Sequence, residues 1–188
     1  MTSHYIDLTV VPDPETNAPQ LLGALYDRLH LTLVQQRTEH IGVSFPGYSI
    51  TPRALGNRLR LHGDTVSLQQ LLETDWLKGL RDHVRMTEMA PAPENAVHRT
   101  IQRRQFKTNA DRLRRRRMRR KGETPEQAAQ AIPGSVERRP NLPYLNVRSR
   151  SSGQPFCLFI ALGPACDRAT SGRFNSYGLG GPATVPWF

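Results

Sequence analysis

The nine residues Arg112-Leu-Arg-Arg-Arg-Arg-Met-Arg-Arg120 cannot be buried. They carry seven guanidiniums and no acid, and an unpaired charge taken out of water costs several kcal/mol. Any fold of this chain must leave the stretch on its surface. The wider segment 99–121 holds twelve Lys and Arg and a single acid, Asp111. It carries net +11 while the chain as a whole carries +10, so the other 165 residues sum to −1. The surplus is local, which points to a polyanionic partner and to affinity that falls steeply with salt. Arg112, Arg115, Arg116 and Arg119 share one face of a helix, Arg114 and Arg117 another, and Arg120 extends the second. Leu113 and Met118 form no apolar stripe. A solvated charged face normally intersperses Glu, and this one does not. A phosphate track is the better account, although composition alone does not separate DNA from RNA.

The rest of the chain must supply the core. His4–Val11 alternates, with Ile6, Leu8 and Val10 on one side, as a strand does. Pro12-Asp-Pro14 breaks it. Residues 19–36 then place Leu22, Leu25, Leu29 and Leu33 on one helical stripe. Ile41–Phe45 and Asn57–His62 read as strands, 67–73 as a short helix capped by Ser67, and Gly79–Met89 as a fourth strand. The order β-α-β-β-α-β predicts a ferredoxin-like (RRM-like) domain over 1–92. Ala90-Pro-Ala-Pro93 reads as a linker.

After it the composition changes, and 93–188 is expected to form a polyanion-binding domain with an Arg-rich helix and a β-hairpin, giving an α+β chain. Thr100–Lys107 is expected to be extended. Thr108–Asp111 forms a weak capping box for the basic helix and Gly122 is placed to close it. Thr124-Pro-Glu-Gln127 opens another short helix that Pro133 ends. Leu142–Arg148 and Pro155–Leu162 read as strands joined by hairpin chemistry at Ser151–Gln154. From Gly163 the chain is rich in Gly, Pro and Ser and reads as a tail. Cys157 and Cys166 form no Cys-x-x-Cys pair, so a zinc ribbon is unsupported. Two reduced cysteines, no signal peptide and no apolar run long enough to span a bilayer together predict a soluble, cytoplasmic protein.

Six histidines, at 4, 30, 40, 62, 83 and 98, offer the side chain whose ordinary pKa suits proton transfer near neutral pH. Spacing alone does not choose among them. His30 lies one step around the helix from the leucine stripe, where a hydrogen-bonded boundary residue is the ordinary reading.

Several blocks, spread nearly end to end, resemble one family. They are His4-Tyr-Ile-Asp7 with Pro12-Asp-Pro-Glu15; Leu29-His30; Ile41-Gly-Val-Ser-Phe-Pro46; Arg58-Leu-Arg-Leu-His62; Asn109 through Arg120; Leu142-Pro143; Val147-Arg-Ser149; Ser152-Gly-Gln154 with Phe156; Tyr177-Gly-Leu179; and Val185-Pro-Trp-Phe188. The chain resembles the CRISPR precursor-RNA endoribonucleases of the type I-F subtype, enzymes of antiviral defence.

The resemblance implies cleavage of a repeat RNA immediately 3′ of a stem-loop, with no metal and no cofactor, leaving a 2′,3′-cyclic phosphate and a 5′-hydroxyl. It implies that the enzyme keeps the mature crRNA's 3′ hairpin and stays with the other protein subunits of the interference complex. It makes His30 the general base, Ser149 the hydroxyl that holds the 2′-hydroxyl or its sugar, and Tyr177 the residue that positions the histidine. Arg103 and Gln105 match base-reading residues at the foot of the stem. Arginine suits a guanine and glutamine an adenine. A shift of one residue would put Arg104 in place of Arg103. Arg115, Arg116, Arg119 and Arg120 match the helix laid in the hairpin's major groove, and Arg112, on the face of Arg115, Arg116 and Arg119, is expected to bind RNA with them. Ser151 and Ser152 are further hydroxyls expected to meet the scissile phosphate or sugar. Phe156 matches an aromatic that stacks on RNA, but Leu158 faces the same side, so a core role stays open. Arg117 matches no assigned position. The main rival is a non-catalytic hairpin-binding subunit of the same complex; a more distant one is a DNA-binding or ribosome-associated basic protein.

Overall fold

A computed structural model describes residues 2–106, 110–136, 140–149 and 153–188. In chain order its elements are β1 (His4–Val10), α1 (Ala18–Gln36), β2 (Gly42–Ser44), β3 (Ser49–Ile50), β4 (Arg53–Ala54), β5 (Arg58–Gly63), α2 (Thr65–Leu72), β6 (Val84–Met86), β7 (Ala90–Pro91), β8 (Val97–Arg99), β9 (Ile101–Arg104), α3 (Ala110–Lys121), α4 (Pro125–Ala131), β10 (Tyr144–Arg148), β11 (Pro155–Leu162) and β12 (Val185–Trp187). The mixed α+β class expected from the sequence is found. Two compact units emerge, one of 1–104 with 142–188 and one of 105–141. The expected boundary lay at 92/93; the compact units are bounded at 104/105 and 141/142.

In the larger unit β1 is central. It pairs antiparallel with β5, Ile6 against Leu61 and Leu8 against Leu59. The strand order is β2-β5-β1-β6, with β7 beside the start of β1. Helix α1 starts at Asn17, whose side chain accepts the Gln20 N–H while Gln20 reaches back to the Asn17 N–H. That closed box, with Pro19 in the first turn, defines the start. The Leu22, Leu25, Leu29 and Leu33 stripe is buried in one cluster with Ile6, Leu8, Leu59 and Leu61. Truncating one of these leucines to Ala costs about 2–5 kcal/mol.

Three expectations shift. Helix α2 begins at Thr65, and its cap is Asp64, which accepts the Ser67 N–H at 2.7 Å. Ser67 is therefore inside the first turn; both residues are good caps, and the chain turns at the earlier one. The strand expected over 79–89 narrows to Val84–Met86, because Arg81–His83 winds into a 3-10 turn first. Part of the expected linker is a strand: Ala90 and Pro91 pair with Tyr5 and His4. A proline at such an edge breaks no inner ladder.

The second face of the sheet carries charge. Arg60 donates to both Asp7 carboxylate oxygens, at 2.6 and 2.9 Å, and to the Phe188 carbonyl at 2.9 Å. Its guanidinium lies 3.8 Å over the Phe188 ring and 4.7 Å from that of Tyr5. His62, in the same layer, is fully buried with Nε2 2.8 Å from the Ser44 hydroxyl. Burial, reinforced by Arg60, pushes its pKa down to about 3, so it is neutral at physiological pH.

A second sheet runs β10-β11-β9. Strands β10 and β11 form the expected hairpin, Val147 opposite Phe156. Helix α1 packs on β10 at Gly23, where a Cβ would lie 2.5 Å from the Asn146 carbonyl oxygen. Only glycine permits that approach. The tail is more structured than its composition suggests: β12 pairs with β8, Val185 against Arg99. Cys157 and Cys166 are free and exposed. Among the described residues no helix is long and apolar enough to cross a membrane.

In the smaller unit α3 and α4 pack through the buried Ala128. Gly122, with φ +66°, closes α3 by donating to the Met118 carbonyl. Thr124 and Gln127 form the expected capping box. Thr108 lies outside the described residues.

Candidate active site

Helix α1 presents Tyr26 and His30 one turn apart on the same face. Opposite them runs the segment Asn175–Leu179, brought from the far end of the chain. The His30 Nδ1 lies 2.7 Å from the Ser176 carbonyl oxygen, 146 residues away in sequence. A carbonyl only accepts, so Nδ1 carries the proton and Nε2 keeps its lone pair. The Tyr177 ring stacks on the imidazole with centroids 3.8 Å apart and planes 4° from parallel. The carbonyl fixes the tautomer, and the tyrosine ring lies flat against the imidazole.

One helical turn earlier, the Tyr26 hydroxyl donates to the Tyr177 carbonyl at 2.7 Å. Burial, and to a lesser degree Tyr177, raises the Tyr26 pKa well above its ordinary value, against a smaller opposing effect of Arg103. Its hydroxyl therefore stays a donor. Arg103, on β9, is half-buried with its guanidinium 5.7 Å from the Tyr177 ring centroid and 5.4 Å from that of Phe156. A cation within about 6 Å of an aromatic face is attracted by it. Phe156, Arg103, Tyr177 and His30 thus form one continuous series of rings and guanidinium.

Ser149 follows β10; its N–H donates to the Gln154 carbonyl and its own carbonyl accepts from the Gly153 N–H. The preceding N–H, of Arg148, donates to the Asp27 carboxylate at 3.1 Å. Asp27 stands three residues before His30, so this bond ties the end of β10 to the same stretch of α1.

Arg103 points to the His30 cluster, whereas Arg104 is exposed on the alternate side of β9, so the two are not interchangeable. Gln105, in the smaller unit, is exposed. Phe156 sits half-buried at the core margin and also meets Arg103, so its two readings are not exclusive. Ser151 and Ser152 lie outside the described residues. In α3, Arg112, Arg115, Arg116, Arg119 and Arg120 are exposed. Arg117 instead donates to Glu123 at 2.5 and 3.0 Å, and Arg114 donates to the Ile132 carbonyl at 2.9 Å and to Asp111 at 3.0 Å. These two tie the helical pair together, which gives Arg117 an internal role. Among the described residues, no group of three or more His, Cys, Asp or Glu side chains could hold a metal ion.

The other histidines have different settings. His62 is buried and neutral, His83 faces Asp13 at 3.6 Å, and His4 meets the Ser3 hydroxyl. His30 alone of these is held by a backbone carbonyl and a stacked ring.

A family model described as CRISPR-associated protein (Cas_Csy4) matches residues 5–188. A protein named CRISPR-associated endonuclease Cas6/Csy4 from Pseudomonas aeruginosa (strain UCBPP-PA14) is 44% identical over 185 residues, covering 98% of this chain and 99% of its own. The chain belongs to the Cas6/Csy4 family of CRISPR-associated proteins. A protein of the same name from Escherichia coli (strain UTI89 / UPEC) is 42% identical over 185 residues, with the same coverage. The Cas6/Csy4 match spans both compact units, so the His30 cluster and the basic helix fall within one family assignment.

Sequence reasoning missed Tyr26, Asp27, Asn175 and the Ser176 carbonyl. The signals were present but generic: Tyr26-x-x-x-His30 is an i, i+4 pair, and Asn175-Ser-Tyr-Gly178 is ordinary turn chemistry.

Proposed function

We propose that this chain is a CRISPR repeat endoribonuclease that cuts precursor crRNA 3′ of a stem-loop without a metal. The observation that carries the reading is the Nδ1–H bond from His30 to Ser176, which leaves Nε2 as a base. In the reaction Nε2 removes the proton of the substrate's 2′-hydroxyl. The 2′-oxygen bonds to the adjacent phosphorus, the P–O5′ bond breaks, and the departing 5′-oxygen takes a proton from water. The products are a 2′,3′-cyclic phosphate and a 5′-hydroxyl. Tyr177 holds the imidazole plane. Ser149 holds the 2′-hydroxyl or its sugar, with Ser151 a further hydroxyl near the scissile phosphate.

The division of roles follows the expected halves. A ferredoxin-like unit over 1–92 carries the base, and 93–188 binds the hairpin. Arg103 and Gln105 read bases at the foot of the stem. Arg112, Arg115, Arg116, Arg119 and Arg120 lie along the hairpin's phosphates. An A-form major groove is narrow and opens near the loop end of a short hairpin, so shape contributes to selection. The product hairpin stays bound, and the protein acts in the cytoplasm as one subunit of the type I-F interference complex. A repeat RNA with a single 2′-deoxy nucleotide at the cleavage position tests the chemistry. It binds and is not cut, whereas the all-ribose RNA is cut in EDTA. Cleavage of the deoxy RNA contradicts the mechanism.

A further inference from the structure

Three successive backbone carbonyls of the 175–179 segment are each held by a different partner. Ser176 O accepts from His30, Tyr177 O from the Tyr26 hydroxyl at 2.7 Å, and Gly178 O from the Val43 N–H at 2.9 Å. The segment's shape is set from inside by Asn175. Its side-chain oxygen accepts the Tyr177 N–H at 2.9 Å and the Leu179 N–H at 3.2 Å. Its backbone carbonyl accepts the Gly178 N–H, and its N–H donates to the Leu179 carbonyl. Gly178 turns the chain at φ +68°, and a Cβ there would lie 2.7 Å from Val43. The carbonyl that faces His30 is thus at the centre of a small, fully tied loop. An asparagine bonding the backbone two and four residues on is the usual way to lock such a turn.

We infer that Asn175 and Tyr26 are positioning residues for the general base: together they fix the Ser176 carbonyl that keeps the proton on His30 Nδ1 and the lone pair on Nε2. The inference rests on the reading of His30 given above, and it adds how the chain selects the working tautomer. A neutral imidazole in water favours neither nitrogen strongly. Here the choice is imposed by a carbonyl that cannot rotate away, because both its neighbours are anchored. Tyr26 acts from outside the loop through the Tyr177 carbonyl, and Asn175 acts from within it.

The test uses the full chain in two measurements. Nitrogen-15 NMR of the histidine rings, at about pH 8 where imidazoles are neutral, reports the His30 tautomer without any substrate. Single-turnover cleavage of a repeat RNA at saturating enzyme reports the chemical step, with hairpin affinity measured alongside. In the native chain the two His30 nitrogens are widely split. Asn175→Ala narrows that splitting and slows cleavage at least about tenfold, a part of what general base catalysis contributes, while affinity stays within about twofold. Asn175→Asp keeps the acceptor oxygen and restores both. Tyr26→Phe, which removes one hydroxyl and little volume, gives a smaller change in the same direction and carries the test if Asn175→Ala does not fold. A native splitting in both Asn175→Ala and Tyr26→Phe overturns the inference, whatever cleavage does. A narrowed splitting with native cleavage supports the tautomer control and removes His30 as the base, so the two readings fail separately.

Discussion

The His30 cluster and the Arg-rich helix use side chains in opposite ways. Around His30 the parts are tied to one another: the imidazole to a carbonyl, the carbonyl's neighbours to Tyr26 and Asn175, the Tyr177 ring to the imidazole face. On α3, Arg114 and Arg117 are spent on such ties, and five other arginines stand exposed. The first region depends on the placement of its atoms. The second depends on the number and spacing of charges. Cutting and holding should therefore respond to different substitutions.

The largest effect short of removing the base belongs to its stacked partner. Tyr177→Ala frees the imidazole plane and lowers the single-turnover rate by about 10- to 100-fold, within the range that general base catalysis supplies. Hairpin affinity changes little. Equal losses in both would merge the two regions. On the helix, Arg115→Ala with Arg119→Ala weakens binding and flattens its dependence on salt. The slope of log affinity against log salt falls by about 0.7–0.9 for each phosphate that the helix no longer neutralises. Cleavage at saturating enzyme stays near the native rate. An unchanged slope would take the helix off the RNA.

Stability sharpens the same contrast. Gly23→Ala pushes a methyl against the Asn146 carbonyl and costs about 1–3 kcal/mol in urea unfolding, as overpacking does. An added methyl on the outer face of α3 would cost far less. His62 adds a pH dependence. Its folded pKa of about 3 lies below the ordinary histidine value, so the folded state binds fewer protons than the unfolded chain in acid. Its contribution is complete above about pH 6.5 and is lost as pH falls toward 3, at up to about 1.4 kcal/mol per pH unit. His62→Gln flattens this slope in urea midpoints compared between about pH 7 and pH 5; an unchanged slope would place the acid sensitivity elsewhere. The smallest effect is that of Glu123→Gln. It loosens the half-buried Arg117–Glu123 pair at the turn between α3 and α4 and leaves cleavage unchanged. A loss of cleavage there would give Arg117 a role beyond holding its own unit together.

Helix α1 was legible because its leucines repeat at helical spacing, and α4 because Thr124 and Gln127 form a capping box with local chemistry. Local signals failed where two residues competed for one job. Asp64 and Ser67 are both good caps, and the turn geometry decides for Asp64. The tail misled for another reason. Gly, Pro and Ser predict loops, yet Val185–Trp187 gains a ladder from Val97–Arg99, a pairing that needs the folded chain to exist. The candidate site is the extreme case. His30 and Ser176 stand 146 residues apart, so no periodicity links them. The resemblance supplied His30 and Tyr177, while Tyr26 and Asn175, which act through the backbone, left no side-chain pattern to read.

The central claim is that one imidazole cuts while a separate basic helix holds. The most direct measurement takes His30→Ala and follows cleavage and affinity on the same repeat hairpin. Cleavage should fall by at least about a hundredfold, with affinity and its salt dependence as in the native chain. Cleavage at the native rate, or a loss of affinity as large as the loss of cleavage, would contradict it.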